Sequence, residues 1–249
     1  MPDFISILML THNAPDYVAT TIRTVAEMTK DTAYELIVVD NASDGPTRDL
    51  VQQFAQDGLI HHLDLLDRNS LFAEGNNIAA RHASPRATHY LLLNSDVKVN
   101  SPDWLSHLIA VHRRGITAYG FVQSPARVDG YCLLIDADLY TRHKLDEGHQ
   151  WWWSVTKLQS KVLADGFPVR GYAEHEAYIH HYGGKSGDAF KAAKGMNVTR
   201  AEVEGWFGAA RPQQIDAPRG AAYLAALLSG KTGPVGRALR KIRRVLRSR

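Results

Sequence analysis

The fold prediction rests on the junction of an apolar run and a polar triplet in Tyr90-Leu91-Leu92-Leu93-Asn94-Ser95-Asp96. Residues 90–93 are typical of a buried strand in a parallel sheet. Ligands of open α/β sheets bind beyond the carboxyl ends of the strands. Asp96 is therefore predicted to lie where a hard cation bridges phosphates, since Mg²⁺ and Mn²⁺ prefer oxygen ligands. The alternative is that residues 94–96 only cap the next helix or form a turn.

Earlier segments repeat this pattern of an apolar run ending in polar residues. Such runs end at residues 11–13, at 40–41 and, after a strand predicted at 59–63, at 67–69. Strands alternating with helices over short connections predict an α/β fold, with a mostly parallel central sheet flanked by helices. Four polar strand ends would then share one rim and form a nucleotide-sized pocket. The sequence has neither the G-x-G-x-x-G of dinucleotide binding nor a P-loop.

Composition is that of an ordinary globular protein, with 249 residues, 45% of them hydrophobic and 22% charged. This length allows one large α/β domain or two small ones. The single cysteine, Cys132, excludes an internal disulfide and suits a reducing compartment. No apolar run approaches the roughly 20 residues that span a bilayer, and no signal peptide is recognisable, so a cytoplasmic location is expected.

The net charge of +3 hides a division between the tail and the rest of the chain. Residues 231–249 contain eight Lys or Arg and no acid, which leaves 21 basic against 26 acidic residues elsewhere. Val235, Leu239, Ile242 and Leu246 recur at helical spacing and predict a basic amphipathic helix. Such a helix suits an anionic membrane surface, with docking on its own domain as the alternative. Because the acidic body offers no second basic face, nucleic-acid binding is not expected.

Five segments carry a family resemblance when they are read in chain order. They are Ile7-Leu8-Met9-Leu10-Thr11-His12-Asn13, Val38-Val39-Asp40-Asn41-Ala42-Ser43, Phe72-Ala73-Glu74-Gly75-Asn76-Asn77, Leu93-Asn94-Ser95-Asp96-Val97 and His181-Tyr182-Gly183-Gly184-Lys185-Ser186. Together they resemble the family 2 glycosyltransferases of the GT-A fold, particularly the rhamnosyltransferase-like branch. The resemblance implies an inverting transferase that uses Mn²⁺ or Mg²⁺ and a UDP- or dTDP-activated sugar.

The resemblance spans roughly residues 4–186 and so divides the chain. It implies a GT-A catalytic domain at 1–190, with a nucleotide-sugar half at about 1–120 and an acceptor half at about 121–190. Residues 191–249 are expected to form a helical extension, with helices predicted at 196–204 and 218–229 before the basic tail. A tail at the inner membrane face favours a cell-surface glycan or lipid-linked saccharide as the acceptor.

The resemblance also implies a set of nucleotide-binding residues. Thr11 and Asn13 would line the nucleotide pocket, and Asp40 would accept a hydrogen bond from a uracil or thymine N3–H. Asn69 and Asn77 would reach the ribose or the sugar. Asp40 has an alternative role as a helix cap, and Asn77 as a residue that satisfies backbone groups.

Asp96 and His181 are the metal ligands that the resemblance implies, with Asp96 holding the ion on the diphosphate. Asn94 stands where many relatives carry the first carboxylate of a D-x-D motif, so the site has one negative charge fewer. Ser95 belongs to the same donor-binding triplet, and Lys185 is expected to close over the phosphates. An ordinary half-exposed histidine is the alternative for His181.

The usual general base of the family is missing from its expected place. Relatives carry an acid at the two positions that are Ser154 and Val155 here. An inverting transfer needs a carboxylate to accept the proton of the acceptor hydroxyl, and Asp129 and Glu147 are the favoured candidates. Three more acids are candidates, namely Asp146, Glu174 and Glu176. Each candidate has the alternative of being a solvated loop residue.

Two other functions stay open at the level of sequence. A sugar-nucleotide-binding pseudoenzyme is suggested by the missing acid at residues 154–155. A nucleotidyltransferase is the other alternative, but it would require a glycine- and basic-rich first loop, which residues 11–14 lack. The three tryptophans at 151–153 would either stack on an acceptor sugar or anchor a helix in the core.

Overall fold

An eight-stranded sheet lies at the centre of the computed structural model, which describes residues 3–185 and 193–216. The strands in chain order are β1 (Phe4–Thr11), β2 (Ala33–Asp40), β3 (His62–Leu65), β4 (His89–Leu93), β5 (Val97–Val99), β6 (Ile116–Tyr119), β7 (Phe121–Gln123), β8 (Ala126–Val128), β9 (Cys132–Asp136), β10 (Val169–Tyr172), β11 (Ile179–His181) and β12 (Gln213–Ile215). The helices are α1 (Pro15–Met28), α2 (Gly45–Gln56), α3 (Leu71–Arg81), α4 (Trp104–Val111), α5 (Ala137–His143), α6 (Trp151–Ala164) and α7 (Arg200–Phe207).

The central sheet has the order β12-β10-β6-β9-β4-β1-β2-β3. Every pairing in it is parallel except the two made by β9, which is antiparallel to β4 and to β6. The prediction of a mostly parallel sheet flanked by helices is therefore confirmed.

Helices cover both faces of this sheet because its strands are apolar on both sides. In β1, Ile7 and Met9 pack with α1, α2 and α4, while Leu8 between them packs with α3, α5 and α6. This alternation follows from the two-residue period of a strand. Burial on both faces explains why the inner strands read as nearly continuous apolar runs.

The carboxyl ends of the inner parallel strands form a single polar rim. Thr11 at the end of β1 is in register with Asp40 at the end of β2, and β4 ends beside β1 at Leu93. A second, two-stranded sheet lies at the same rim, where β11 runs antiparallel to β5 and His181 faces Val97. The backbone therefore brings His181 next to Asp96, although 85 positions separate them in the sequence.

The structure shifts two predicted elements and adds one. The strand predicted at 59–63 is instead His62–Leu65, and the helix predicted at 196–204 is Arg200–Phe207. Its start is fixed by a capping box in which Thr199 and Glu202 bond each other's backbone N–H groups. The short strand β12, which was not predicted, extends the sheet beside β10. The helix predicted at 218–229 and the basic tail at 231–249 lie outside the described residues.

Within 3–185 and 193–216, every helix is too short or too polar to cross a lipid bilayer.

Candidate functional site

A cavity of about 360 Å³ opens at the polar rim of the sheet. Its polar lining comes from the ends of β1 and β4, the loops after β2 and β8, the region of α3, and β11 with the loop after it. The polar lining residues are His12, Asn41, Asn69, Asn76, Asn94, Ser95, Asp96, Asp129, His181 and Lys185. Its apolar wall includes Leu10, Leu71, Phe72, Leu93, Trp151, Trp152 and Val155. The cavity thus has a polar side suited to phosphate and hydroxyl groups and an aromatic side.

The structure brings seven of the twelve predicted site residues together in this cavity, namely Asn69, Asn94, Ser95, Asp96, Asp129, His181 and Lys185. The other five, Thr11, Asn13, Asp40, Asn77 and Glu147, are not in its lining.

Asp96 and His181 form the most polar corner of the cavity. Asp96 Oδ1 lies 3.2 Å from His181 Nε2, and Asn94 Nδ2 lies 3.5 Å from the same nitrogen. Asp96 is 7% exposed. A carboxylate and an imidazole nitrogen suit Mn²⁺ and can also hold Mg²⁺, and two protein ligands leave the other positions open for diphosphate oxygens. The donor set therefore fits the predicted metal.

The imidazole of His181 is held by an aromatic layer behind it. The ring of Tyr131 stacks on it at a centroid distance of 4.2 Å and an angle of 18°. The Tyr131 hydroxyl lies 2.5 Å from His175 Nε2. Burial raises the pKa of Tyr131 and lowers that of His175, so the phenol donates and the imidazole accepts. This arrangement fixes the plane of the His181 ring.

Helix α1 fixes the backbone on both sides of Asp96. Thr21 Oγ1 donates to the carbonyl of Ser95 at 2.8 Å and accepts from the N–H of Val97 at 3.1 Å. One threonine thus satisfies two buried backbone groups of the loop that presents the carboxylate.

We expect Thr21→Val to lower the free energy of unfolding by about 1–3 kcal/mol, because two buried backbone groups lose their partner while the side-chain shape is kept. Thr20→Val is the matched control, since Thr20 bonds only the carbonyl of Asp16 at an exposed position. Urea unfolding of both variants measures the difference. Equal stability of the two variants would show that Thr21 does not hold the loop.

Asn41 organises the opposite wall of the cavity. Its Oδ1 accepts from the backbone N–H of Ser70 at 2.6 Å and from the Ser70 hydroxyl at 2.7 Å, and its Nδ2 donates to Asn69 Oδ1 at 2.7 Å. His12 Nδ1 lies 3.0 Å from the carbonyl of Asn41, so this nitrogen carries the proton. Asn41 and His12 were not predicted as site residues. Both stand in strand-end clusters that the sequence pattern had marked.

Asp40, Thr11 and Asn13 lie beside this wall in a network of their own. Asp40 is fully buried, and its oxygens accept from Thr11 Oγ1 at 3.0 Å and from the N–H of Ser43 at 3.1 Å. Asn13 bonds Ser43 and Asp44 through its backbone N–H and its Oδ1. Asp40 does not cap α2, because the cap residue is Asp44. These contacts shape the loop after β2, and the base contact of Asp40 stays a prediction.

Asn77 and Glu147 are bonded to each other behind α3. Asn77 Nδ2 donates to Glu147 Oε1 and to the carbonyl of Leu145, both at 2.9 Å. Asn77 Oδ1 accepts from the Tyr140 hydroxyl at 3.0 Å and from the N–H of Leu145 at 3.1 Å. Asn77 therefore satisfies buried groups of the loop after α5, which is the alternative considered for it.

The region of the missing acid is apolar and tightly packed. Val155 lines the cavity and is 1% exposed, and a Cβ added to Gly130 would lie 2.7 Å from its Cγ2. The neighbouring Asp129 reaches the cavity, where its Oδ1 accepts from the N–H of Gly130 at 2.9 Å. Among the described lining residues, the carboxylates are those of Asp96 and Asp129.

Two of the remaining acids are paired with other side chains. Asp146 lies 2.6 Å from Lys157 Nζ, and Glu176 lies 3.0 Å from His180 Nδ1. Neither of these acids lines the cavity.

The three tryptophans divide between two environments. Trp151 and Trp152 line the cavity, and Trp152 is 37% exposed. Trp153 instead donates from Nε1 to the carbonyl of Met196 at 2.9 Å. Two indoles are thus placed where an acceptor sugar could stack, and the third anchors the segment before α7.

Residues 6–131 match the family model described as "Glycosyl transferase family 2". A relative from Bacillus subtilis (strain 168), the putative teichuronic acid biosynthesis glycosyltransferase TuaG, is 32% identical over 94 residues. That match covers 38% of this chain and 36% of the relative, so it reaches little more than a third of the relative's length.

Solved structures resemble the fold over about two thirds of the chain. S. aureus TarS 1–349 in complex with UDP has a TM-score of 0.52 at 16% identity, covering 64% of this chain and 55% of that one. The mannosyltransferase PcManGT from Pyrobaculum calidifontis, in complex with GDP-Man and Mn²⁺, has a TM-score of 0.52 at 18% identity, covering 65% and 55%. Identities this low show the fold alone, and the predicted GT-A fold is confirmed.

Proposed function

The chain belongs to glycosyl transferase family 2, whose model matches just over half of its length, and we propose that it is an inverting, metal-dependent sugar transferase. The donor is a UDP- or dTDP-activated sugar, and the acceptor is a hydroxyl of a cell-surface glycan or lipid-linked saccharide.

The observation that carries this proposal is the Asp96–His181 pair, with 3.2 Å between Oδ1 and Nε2 at the rim of the sheet. These two side chains would hold Mn²⁺ or Mg²⁺, which when bound neutralises charge on the diphosphate leaving group. Two protein ligands to the ion match a site that completes its coordination with phosphate oxygens.

Lys185 adds positive charge to the same corner. It lines the cavity, and its Nζ lies 5.2 Å from the centroid of the Tyr17 ring. A lysine ammonium there stabilises the charge that develops on the diphosphate as the glycosidic bond breaks.

Asp129 is the base that we assign to the acceptor. Its carboxylate would take the proton of the acceptor hydroxyl while that oxygen attacks the anomeric carbon from the face opposite the diphosphate. A bond from the anomeric carbon to the acceptor oxygen forms, and the bond to the diphosphate oxygen breaks with its electron pair. Trp151 and Trp152 would orient the acceptor ring beside this carboxylate.

Two of the printed names support this donor and acceptor class, because TarS has been solved with UDP and TuaG is named for teichuronic acid biosynthesis. The mannosyltransferase PcManGT has been solved with GDP-Man and Mn²⁺, which supports a nucleotide-sugar donor and a metal but carries a different base. We extend the assignment to a cytoplasmic enzyme that works at the inner membrane face, held there by the basic segment 231–249.

The alternative function is a sugar-nucleotide-binding pseudoenzyme. Val155 favours it, because the position that is acidic in relatives is here a buried valine packed on Gly130. Substitution of Asp129 separates the two functions, because only a transferase would lose turnover when this carboxylate is removed.

A thermal-shift screen of nucleotide sugars with Mn²⁺, followed by a transfer assay on a saccharide panel, tests the proposal. Ligand at a hundredfold excess over its Kd stabilises the fold by about 2.7 kcal/mol, or roughly 5–10 °C for a chain of this size. We expect shifts of this order with UDP- or dTDP-sugars, smaller shifts with GDP- and CMP-sugars, and release of the nucleoside diphosphate. Binding without turnover favours the pseudoenzyme, and no binding of any nucleotide sugar contradicts both functions.

A further inference from the structure

A second group of metal-ligating side chains lies at the end of the sheet away from the cavity. His89 begins β4, whose other end leads to Asp96, and Asp136 ends the antiparallel neighbour β9 in register with His89. His112 directly follows α4. Three separate elements thus bring two imidazoles and a carboxylate together. The length of β4 separates them from the proposed sugar-transfer site.

The ligand atoms of this group converge on one point. One atom from each of the three residues can be chosen so that all lie within 4.8 Å of one another. His112 Nε2 is 3.2 Å from Asp136 Oδ2, and His89 Nε2 is 4.0 Å from Asp136 Oδ1. Tetrahedral Zn²⁺ with bonds of about 2.0–2.1 Å separates its ligands by about 3.3 Å. The His112–Asp136 contact already has this separation, and because all three chosen atoms lie within 4.8 Å of one another, no pair needs to close by more than about 1.5 Å.

In each histidine, the ring nitrogen Nδ1 lies within hydrogen-bond distance of a threonine hydroxyl. His89 Nδ1 lies 2.8 Å from Thr88 Oγ1, and His112 Nδ1 lies 3.0 Å from Thr117 Oγ1. An imidazole that donates through Nδ1 presents the lone pair of Nε2, which is how metal-binding histidines are oriented. The carboxylate is oriented as well, because Asp136 Oδ2 accepts from the N–H of Gly115 at 2.7 Å.

The group is largely shielded from solvent, and a second carboxylate lies near it. The three side chains are 12%, 6% and 14% exposed for His89, His112 and Asp136. Arg114 Nη1 is 4.0 Å from Asp136 Oδ1, but this half-exposed arginine bonds Asp138 through Nη2 and can remain there. Asp3 Oδ1, 3.8 Å from His89 Nδ1, adds a second carboxylate nearby.

We propose that His89, His112 and Asp136 bind one Zn²⁺ ion that cross-links the start of β4, the end of β9 and the segment after α4. Two imidazoles and one carboxylate suit Zn²⁺ rather than Mg²⁺, and water would take the fourth position. The ion would stabilise the fold at the end of the sheet opposite the cavity. It takes no part in sugar transfer, so this proposal is independent of the proposed function.

Metal titration of the full chain carrying Asp96→Asn tests the site without a contribution from the cavity carboxylate. We expect one equivalent of Zn²⁺ in calorimetry, tetrahedral absorption bands when Co²⁺ replaces it, and a melting temperature raised by about 5–10 °C at a hundredfold excess over the Kd. Adding His112→Gln should remove the equivalent, the bands and the shift.

His82→Gln in the same parent is the matched control. His82 Nε2 lies 3.3 Å from Asp64 Oδ2 and its ring stacks on His62, but these three residues do not converge in the same way. This variant should keep the full Zn²⁺ equivalent and the Co²⁺ bands. Absence of tetrahedral bands in the folded parent overturns the proposal even if His112→Gln does not fold. Equal Zn²⁺ binding by the two histidine variants overturns it as well.

Discussion

Asp96→Asn is expected to lower kcat/KM for sugar transfer by about 10²–10³-fold, the loss found when one group that stabilises developing charge is removed. The amide keeps the shape of the side chain but carries no negative charge, so the proposed ion would lose the carboxylate that we assign to it. Release of the nucleoside diphosphate at saturating Mn²⁺ measures the effect.

Asp67→Asn is the control for this substitution. Its carboxylate follows β3, the edge strand of the same sheet, is fully exposed and lies outside the cavity lining. It should change turnover by less than about twofold, in keeping with the small effects of exposed charges. Thermal melting of both variants separates catalytic loss from loss of fold. Unchanged turnover in a folded Asp96→Asn enzyme would show that the carboxylate is not a metal ligand.

Asp129→Asn is expected to lower kcat by about 10²–10⁴-fold, the usual contribution of a positioned general base. Donor affinity should stay within about twofold, because the proposed role of Asp129 is toward the acceptor and not toward the diphosphate.

Glu147→Gln is the matched substitution at the other predicted base. Its carboxylate accepts from Asn77 and does not reach the cavity, so kcat should fall by less than about threefold. A larger loss in Glu147→Gln than in Asp129→Asn would contradict the assignment of the base. Calorimetry with the donor nucleotide shows whether either variant has lost binding instead of turnover.

The polar rim could be predicted from the sequence because local patterns determine it. An apolar run followed by a polar cluster places Thr11, Asp40 and Asn94 at strand ends, and parallel pairing brings those ends together. The approach of His181 to Asp96 depends on the antiparallel pairing of two three-residue strands. No local pattern in the sequence fixes that pairing, and the family resemblance supplied it.

Other features depend on tertiary contacts that have no signature in the sequence. Asn77 was predicted to reach the ligand, but its amide is used by the loop at residues 145–147. The strand at 213–215 carries two adjacent glutamines and no alternation, so its place at the sheet edge follows only from pairing with β10. Asn41 differs, since its position directly after a strand end marked it as a rim residue.

The central claim is that the strand ends hold an ion together with a diphosphate. Calorimetry tests it most directly, by measuring UDP or dTDP binding with and without Mn²⁺ in the wild-type protein and in Asp96→Asn. We predict that Mn²⁺ raises the affinity of the wild-type protein at least tenfold, about 1.4 kcal/mol, and that Asp96→Asn loses this gain. Nucleotide binding that is equally tight with and without Mn²⁺, or the same Mn²⁺ gain in Asp96→Asn, would contradict the proposed metal site.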